Sequence, residues 1–275
     1  MIPNADPTQR SAGVDVGTRC LKLALRAGDA LELRILPSTA IEQAAREIEA
    51  FDPQRLGLTG TGAATLAPLL TVDTVASIEF EAWHAGATLL LAQQGAEPIE
   101  RDLLISLGTG TSMLLVEPGG STRVGGTALG GGTLAALGAA LADTADPAQL
   151  VALASQGERR NVDLTLADVD PSGSLSLSSD FTAAFLAKLD RHTAAPADIA
   201  HALVGMVAET VGTLASAVAA AVQARRILYG GGTLRDNAPL REILAAYSFA
   251  GEHVFLQDGE FTGALGAIEL ADRHA

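Results

Sequence analysis

The residues best suited to chemistry lie between Leu103 and Leu141. An apolar run from Leu103 enters Leu107-Gly108-Thr109-Gly110-Thr111-Ser112, a second apolar run follows at Met113 to Val116, and Arg123-Val124-Gly125-Gly126-Thr127 leads to Gly130-Gly131-Gly132-Thr133-Leu134. Glycine lets backbone N–H groups come close to an anion, and Thr and Ser add hydroxyl donors. A helix that starts in glycines adds free amides and the positive end of its dipole. This is the chemistry of a phosphate cradle, and it points to an enzyme that uses a nucleotide.

The same pattern occurs earlier. Gly13-Val14-Asp15-Val16-Gly17-Thr18-Arg19-Cys20-Leu21-Lys22-Leu23 reads as strand, Gly-Thr turn and return strand, which suggests an internal duplication of a phosphate-binding hairpin. Two more glycine turns, Thr59-Gly60-Thr61-Gly62 and Gly230-Gly231-Gly232-Thr233, also follow apolar strands. Ligands of α/β sheets collect at the carboxyl ends of strands, so four such turns (Gly17, Gly60, Gly108, Gly230) argue together for one site.

Three charged residues stand out. Glu79, expected at the end of a strand from Val75 to Phe80, is either a salt-bridge partner or a general base for an acceptor hydroxyl. Asp15 competes for that role, or for placing a hydrated magnesium ion beside the phosphates. Arg123, alone between glycine motifs, suits a carboxylate, a carbonyl or a phosphate. Other chemistries find no support. There is no Gly-x-x-x-x-Gly-Lys-Ser/Thr loop, no Gly-x-Gly-x-x-Gly after the first strand and no Gly-x-Ser-x-Gly elbow, and the histidines at 84, 192, 201, 253 and 274 show no metal-ligand spacing.

The elements that must position these residues alternate between strands and helices, the α/β class. Residues 1–11 read as a loose tail. Strands are expected at 12–16, 20–25 and 31–36, then a helix at 41–51, a strand at 55–58, a helix at 63–70 and a helix from about 82 to 94. Helices follow at 134–141 and 147–155, the latter capped by Asp146 with Pro147 in its first turn. Residues 161–179 read as an irregular excursion, 181–189 as a helix, and 198–223 as a long Ala/Val helix buried in the domain or in a subunit contact. A strand at 226–229, a helix at 239–247, a strand at 253–256 and a closing helix complete the chain, with Gly263 and Gly266 implying close backbone packing.

With 275 residues, 48% of them hydrophobic, the chain can bury a full core as one large domain or two lobes. A net charge of -14 argues against a nucleic-acid or anionic-membrane surface, so any anionic ligand must be met locally. There are two lysines, Lys22 and Lys188, against sixteen arginines, which makes Lys22 in the first motif more noticeable. The chain does not start with a basic segment followed by an apolar one, and its apolar runs are expected to stop short of membrane-spanning length. Together with a single cysteine, Cys20, expected to be inert in the core, this gives a cytoplasmic expectation.

From Ala12 to Leu270 the chain resembles the type II pantothenate kinases. The most specific part is Leu107 to Ser112 followed by Arg123 to Thr127 and Gly130 to Thr133. Ile78-Glu79-Phe80-Glu81-Ala82, Leu228 to Gly231 with Asp236 to Leu240, and Asp258 to Ala264 match further family blocks. The resemblance implies a two-lobed actin-like ATPase fold, a duplicated ribonuclease H-like architecture, with ATP and Mg2+ in the cleft between lobes at 12–98 and 99–275. It implies that Glu79 is the catalytic base and that Asp15, Gly17, Thr18, Arg19 and Lys22 form the first phosphate motif, with Asp15 holding Mg2+ through water. Thr109 and Thr111 would lie where ATP phosphates meet pantothenate, and Arg123 would hold pantothenate. Gly131, Gly132, Thr133, Leu134 and Ala135 would face the phosphates, and Gly230, Gly231 and Gly232 the adenosine. It further implies a homodimer built on the long helix, with Phe255 near the partner's pantothenate.

The first motif departs from the family's Asp-x-Gly-Gly-Thr. Thr18 restricts the turn, while Arg19 removes a hydroxyl donor and adds a cation that either neutralises a phosphate or plugs the site. Three alternatives stay open: a kinase of the same fold for another hydroxyl acceptor such as an amino sugar, a degenerate, non-catalytic ATP- or acyl-CoA-binding homologue, and a structural reading in which the glycine turns are only turns and no nucleotide binds.

Overall fold

The computed structural model describes residues 9–174, 178–246 and 251–273. Parts of the tail, of the 161–179 excursion and of the helix expected to reach Tyr247, along with His274, lie outside the described residues.

The first half begins with β1 (Arg10–Val16), β2 (Cys20–Ala27) and β3 (Ala30–Pro37), an antiparallel meander. Helix α1 (Ile41–Phe51) buries Ala44, Ala45 and Ile48 and ends where Asp52 turns left-handed. It returns the chain to β4 (Arg55–Thr59), parallel to β1; the short α2 (Ala63–Leu66) and β5 (Thr74–Ala76) follow, giving a sheet in the order β3-β2-β1-β4-β5. β1 starts within the expected tail: Arg10 pairs with Asp52 and the Ser11 hydroxyl donates to Asp272.

Helix α3 (Glu79–Gln93) corrects the expected place of Glu79. The strand stops at Ala76, the Ser77 amide binds the Leu58 carbonyl, and Glu79 is the first residue of the helix rather than the end of a strand. Glu79 and Glu81 in the first turn favour this because acidic groups suit the positive end of the helix dipole.

The second half repeats the plan. β6 (Asp102–Leu107), β7 (Thr111–Glu117) and β8 (Gly120–Thr127) form a meander; β8 was not foreseen. Then come α4 (Gly131–Leu141), α5 (Pro147–Ala154), the strand pair β9 (Leu164–Thr165) and β10 (Thr182–Ala184) around α6 (Leu166–Val169), and α7 (Pro196–Ala221). Asp146 caps α5 by accepting from the Ala148 and Gln149 amides. β11 (Arg226–Gly230), α8 (Ala238–Ala245) and β12 (Glu252–Phe255) complete a sheet in the order β12-β11-β6-β7-β8, with β11 parallel to both β6 and β12. The two sheets therefore share one topology, as a duplication requires.

The helix expected at 181–189 is absent. Thr182 to Ala184 pair as β10, and Leu186 adopts a left-handed φ of 58° with its amide held by Asp163 Oδ1 at 2.7 Å. Tertiary bonds override local propensity here, because buried Glu209 accepts from the Thr182 amide and hydroxyl and pairs with Arg159. α7 also departs from expectation. It is long and apolar enough to span a membrane, but 61% of its apolar window is buried, packed against α4, α5 and α8 as the core helix of the second lobe.

The closing helix α9 (Thr262–Arg273) packs on β1 and β4, so a division between residues 98 and 99 leaves α9 on the sheet of the other half. α3 and α9 touch at backbone distance. A Cβ on Gly86 would lie 1.9 Å from the Thr262 carbonyl oxygen, and one on Gly266 1.7 Å from that of Ala82. Gly266→Ala should force the helices apart and lower stability by about 1–3 kcal/mol or more, read as a lower urea midpoint; an unchanged midpoint would show that the contact is not tight.

Candidate active site

One cleft of about 1010 Å³ is walled by both halves of the chain. From the first half come Asp15, Gly17, Thr18, Arg19, Lys22, Thr61 and Glu79. From the second come Gly108 to Ser112, Arg123, Gly126, Gly131, Leu134, Ala135, Gly231 and Gly232, with Asn237 and Glu260.

The β6–β7 turn is clamped rather than free. The Gly108 carbonyl accepts from the Gly131 amide at 2.9 Å and the Thr233 hydroxyl at 2.8 Å, and the Thr109 carbonyl accepts from the Gly132 amide at 2.9 Å. Gly131 and Gly132 thus pair two of the amides that a helix leaves unsatisfied at its start. Gly231 must be glycine for two reasons: its φ is 112°, and a Cβ would lie 2.3 Å from the Leu107 carbonyl oxygen. The Thr111 hydroxyl donates to the Leu129 carbonyl, so this side chain braces the loop before α4.

Across the cleft, the β1–β2 turn is closed by the Gly17 amide on the Cys20 carbonyl. Its tip meets the opposite lobe: Thr18 Oγ1 and Thr109 Oγ1 are 2.7 Å apart, and the Arg19 guanidinium donates to the Gly131 carbonyl at 2.9 Å. Asp15, only 4% exposed, pairs with Lys22 at 3.2 Å. Gly60 and Gly263 leave room for it, since a Cβ on either would lie within 3.0 Å of a carboxylate oxygen of Asp15.

Glu79 sits near this pair. Burial raises its carboxyl above the usual carboxylate range, the Asp15 charge pushes the same way, and Lys22 partly opposes both. Trp83, one turn further along α3 and 4% exposed, also lines the cleft, with a buried indole N–H that has no hydrogen-bond partner among the described residues.

Arg123 is aimed by a β-bulge. Met113 pairs with Gly125 and Leu114 with Arg123, so Val124 is an extra residue in β8. The guanidinium lies back over Gly126, where a Cβ would be 2.8 Å from its nitrogen. Of the four cations on the cleft wall, Lys22 pairs with Asp15 and Arg235 with Asp236, while Arg19 and Arg123 have no ion pair among the described residues.

Most of the expected site residues therefore come together, but three stand behind the wall. Gly132 faces the Thr109 side chain, the Thr133 hydroxyl donates to the Ala128 carbonyl, and Gly230 packs against Trp83 and Gly259. Phe255 stacks on Tyr229 at 4.9 Å within its own lobe. Cys20, expected in the core, is half-buried on the cleft wall. Sequence reasoning missed the structural part of Thr233, although it closes a quoted glycine motif, and missed Trp83, whose signal is its place four residues after Glu79.

A family model described as Fumble matches residues 55–269. The type II pantothenate kinase of Staphylococcus haemolyticus is 30% identical over 264 residues, covering 94% of this chain and 98% of that protein. The chain belongs to the Fumble family, the type II pantothenate kinases. The corresponding Staphylococcus aureus enzyme is 28% identical over the same share of this Fumble-family chain. Among solved structures, component A of (R)-2-hydroxyglutaryl-CoA dehydratase from Acidaminococcus fermentans superposes with a TM-score of 0.66 at 18% identity, covering 97% of this chain and 99% of that one. A ROK family glucokinase from Streptomyces griseus, solved with glucose and AMPPNP, gives 0.58 at 14% identity, covering 96% and 99%. These two show the fold, the two-lobed actin-like one.

The raised Glu79 carboxyl has a stability consequence. Its folded-state pKa lies above the unfolded one, so the fold favours the protonated form. That contribution is complete below the unfolded pKa and is lost as pH rises through the folded value. Glu79→Gln should therefore raise the melting temperature at pH 7 and leave it nearly unchanged well below pH 4.5. Asp15→Asn should bring the Glu79 pKa down in a carboxyl NMR titration; a rise would contradict this arrangement of charges.

Proposed function

We propose that this chain phosphorylates the primary hydroxyl of pantothenate with Mg-ATP, giving 4'-phosphopantothenate for coenzyme A synthesis. Family membership supports a kinase. The observation that carries the acceptor is the pairing, in one cleft, of a desolvated carboxylate, Glu79, with an exposed guanidinium, Arg123, that no carboxylate of the described residues neutralises. Pantothenate has a hydroxyl for the first and a carboxylate for the second. A neutral sugar leaves Arg123 without an anion.

In this mechanism a Glu79 oxygen accepts the hydroxyl proton as the oxygen attacks the γ-phosphorus in line, the bond to the β-phosphate oxygen breaks, and ADP leaves. The reaction needs positioning and charge stabilisation more than covalent help from the protein. The Thr109 and Thr111 turn supplies backbone donors, Gly17, Thr18, Arg19 and Lys22 approach from the other lobe, and Arg123 orients the acceptor. Gly131, Leu134, Ala135, Gly231 and Gly232 wall the nucleotide side. Bound Mg2+ would neutralise phosphate charge. Mg2+ takes most of its ligands from water and phosphate, and Asp15, a carboxylate on the cleft wall, would hold the ion through water. We also assign a homodimer, with Leu214 on the exposed side of α7, and a cytoplasmic site of action.

The test is magnesium-dependent release of ADP with and without pantothenate. The wild type should release ADP only when pantothenate is present. Glu79→Gln should bind ATP and lose about 10²–10⁴ in kcat; unchanged turnover would remove Glu79 from the mechanism. Arg123→Ala should raise the KM for pantothenate by about tenfold to a hundredfold, and an unchanged KM would send the acceptor assignment elsewhere.

A further inference from the structure

The Arg19 contact poses an electrostatic problem. Its guanidinium is bonded to the carbonyl of Gly131, the first residue of α4, at 2.9 Å. A helix start carries the positive end of the dipole, where anions are stabilised and cations are not. Arg19 is exposed, and among the described residues it has no ion pair, so no carboxylate offsets that placement. Among the described residues it is hydrogen-bonded to the opposite lobe through one neutral oxygen, beside the neighbouring Thr18–Thr109 hydroxyl contact.

The same helix start is short of donors. The Gly131 and Gly132 amides, which would otherwise point at an anion, are bonded to the Gly108 and Thr109 carbonyls. The dipole remains, but those two hydrogen bonds are already used. A guanidinium has five donors in a planar fork that matches phosphate, and a charge-assisted bond to a phosphate oxygen is stronger than one to a neutral carbonyl.

We propose that Arg19 is an exchange clamp: its guanidinium ties the β1–β2 turn to the Gly131 carbonyl, and the polyphosphate of the nucleotide takes over that bond on binding. The clamp supplies from the first lobe the donors that α4 has committed internally. It holds the two turns close together before the nucleotide arrives. Arg19 thus replaces a hydroxyl donor rather than obstructing the site. This rests on the kinase reading of the cleft.

The experiment measures Mg-ATP binding by calorimetry, and the ATP-induced shift in melting temperature, for the full chain as wild type, Arg19→Ala and Arg19→Lys. The Ala variant should melt like the wild type without ligand, bind ATP about tenfold or more weakly and lose most of the ATP-induced shift. Lys should restore part of both. The KM for ATP should rise in the Ala variant while the KM for pantothenate holds. Equal ATP affinity in wild type and Ala variant overturns the clamp and leaves the kinase standing. Tighter binding by the Ala variant also overturns it, because Arg19 would then only obstruct. No ATP binding by any of the three proteins overturns the kinase reading itself, and the clamp with it.

Discussion

The site depends on the carbonyl oxygen of Gly108. Two donors converge on it, the Gly131 amide from the start of α4 and the Thr233 hydroxyl from the turn after β11, while the adjacent Thr109 carbonyl takes the Gly132 amide. Three segments far apart in sequence become one rigid unit. Buried or half-buried backbone groups are costly when unpaired, so the bonds that stabilise this unit also set the loop's shape. The consequence is a division of labour. The second lobe supplies the turn geometry, hydroxyls and Arg123, while Asp15, Arg19, Lys22 and Glu79 bring formal charge from the first.

The duplication explains how Glu79 reaches the cleft. In each half a meander, a helical crossover and two parallel strands end in a helix, α3 after β5 and α9 after β12. These two helices cross at Gly86 and Gly266. Each then packs away from its own sheet: α9 lies on β1 and β4, while Trp83, Leu90 and Leu91 of α3 share a core with Leu104, Leu114 and Leu228 of the second sheet. Glu79 opens α3 at this exchange and so faces both lobes.

How much of this was legible follows from how local each signal is. The two hairpins could be read because an apolar run, a Gly-Thr turn and an apolar return are contiguous, and α5 because Asp146-Pro147 is a cap that works alone. Glu79 was assigned to a strand because Val75 and Ile78 prolong the β pattern; the strand's end is set by a distant carbonyl, that of Leu58. β8 was missed because glycines replace its alternation, and the bulge that aims Arg123 is a matter of register with β7. Gly230 looked like a cleft residue, yet its neighbour is Trp83, more than a hundred residues away. The helix read at 181–189 lost to bonds from Glu209 and Asp163, which no window of local sequence contains.

The cleft concentrates groups whose partners the described residues do not fully supply. Glu79 is a carboxylate short of water, Arg19 is a cation at the positive end of a helix, and Arg123 has no counter-charge among the described residues, although the whole chain carries -14. A chain selected for stability alone would replace Glu79, whose charge is desolvated. The kinase reading relieves all three: polyphosphate for Arg19, an acceptor carboxylate for Arg123, and a hydroxyl proton for Glu79. Because each is relieved only by the substrates, binding energy is spent on assembling the reacting arrangement, and the excess negative charge elsewhere leaves these cations as the local attraction an anionic substrate meets.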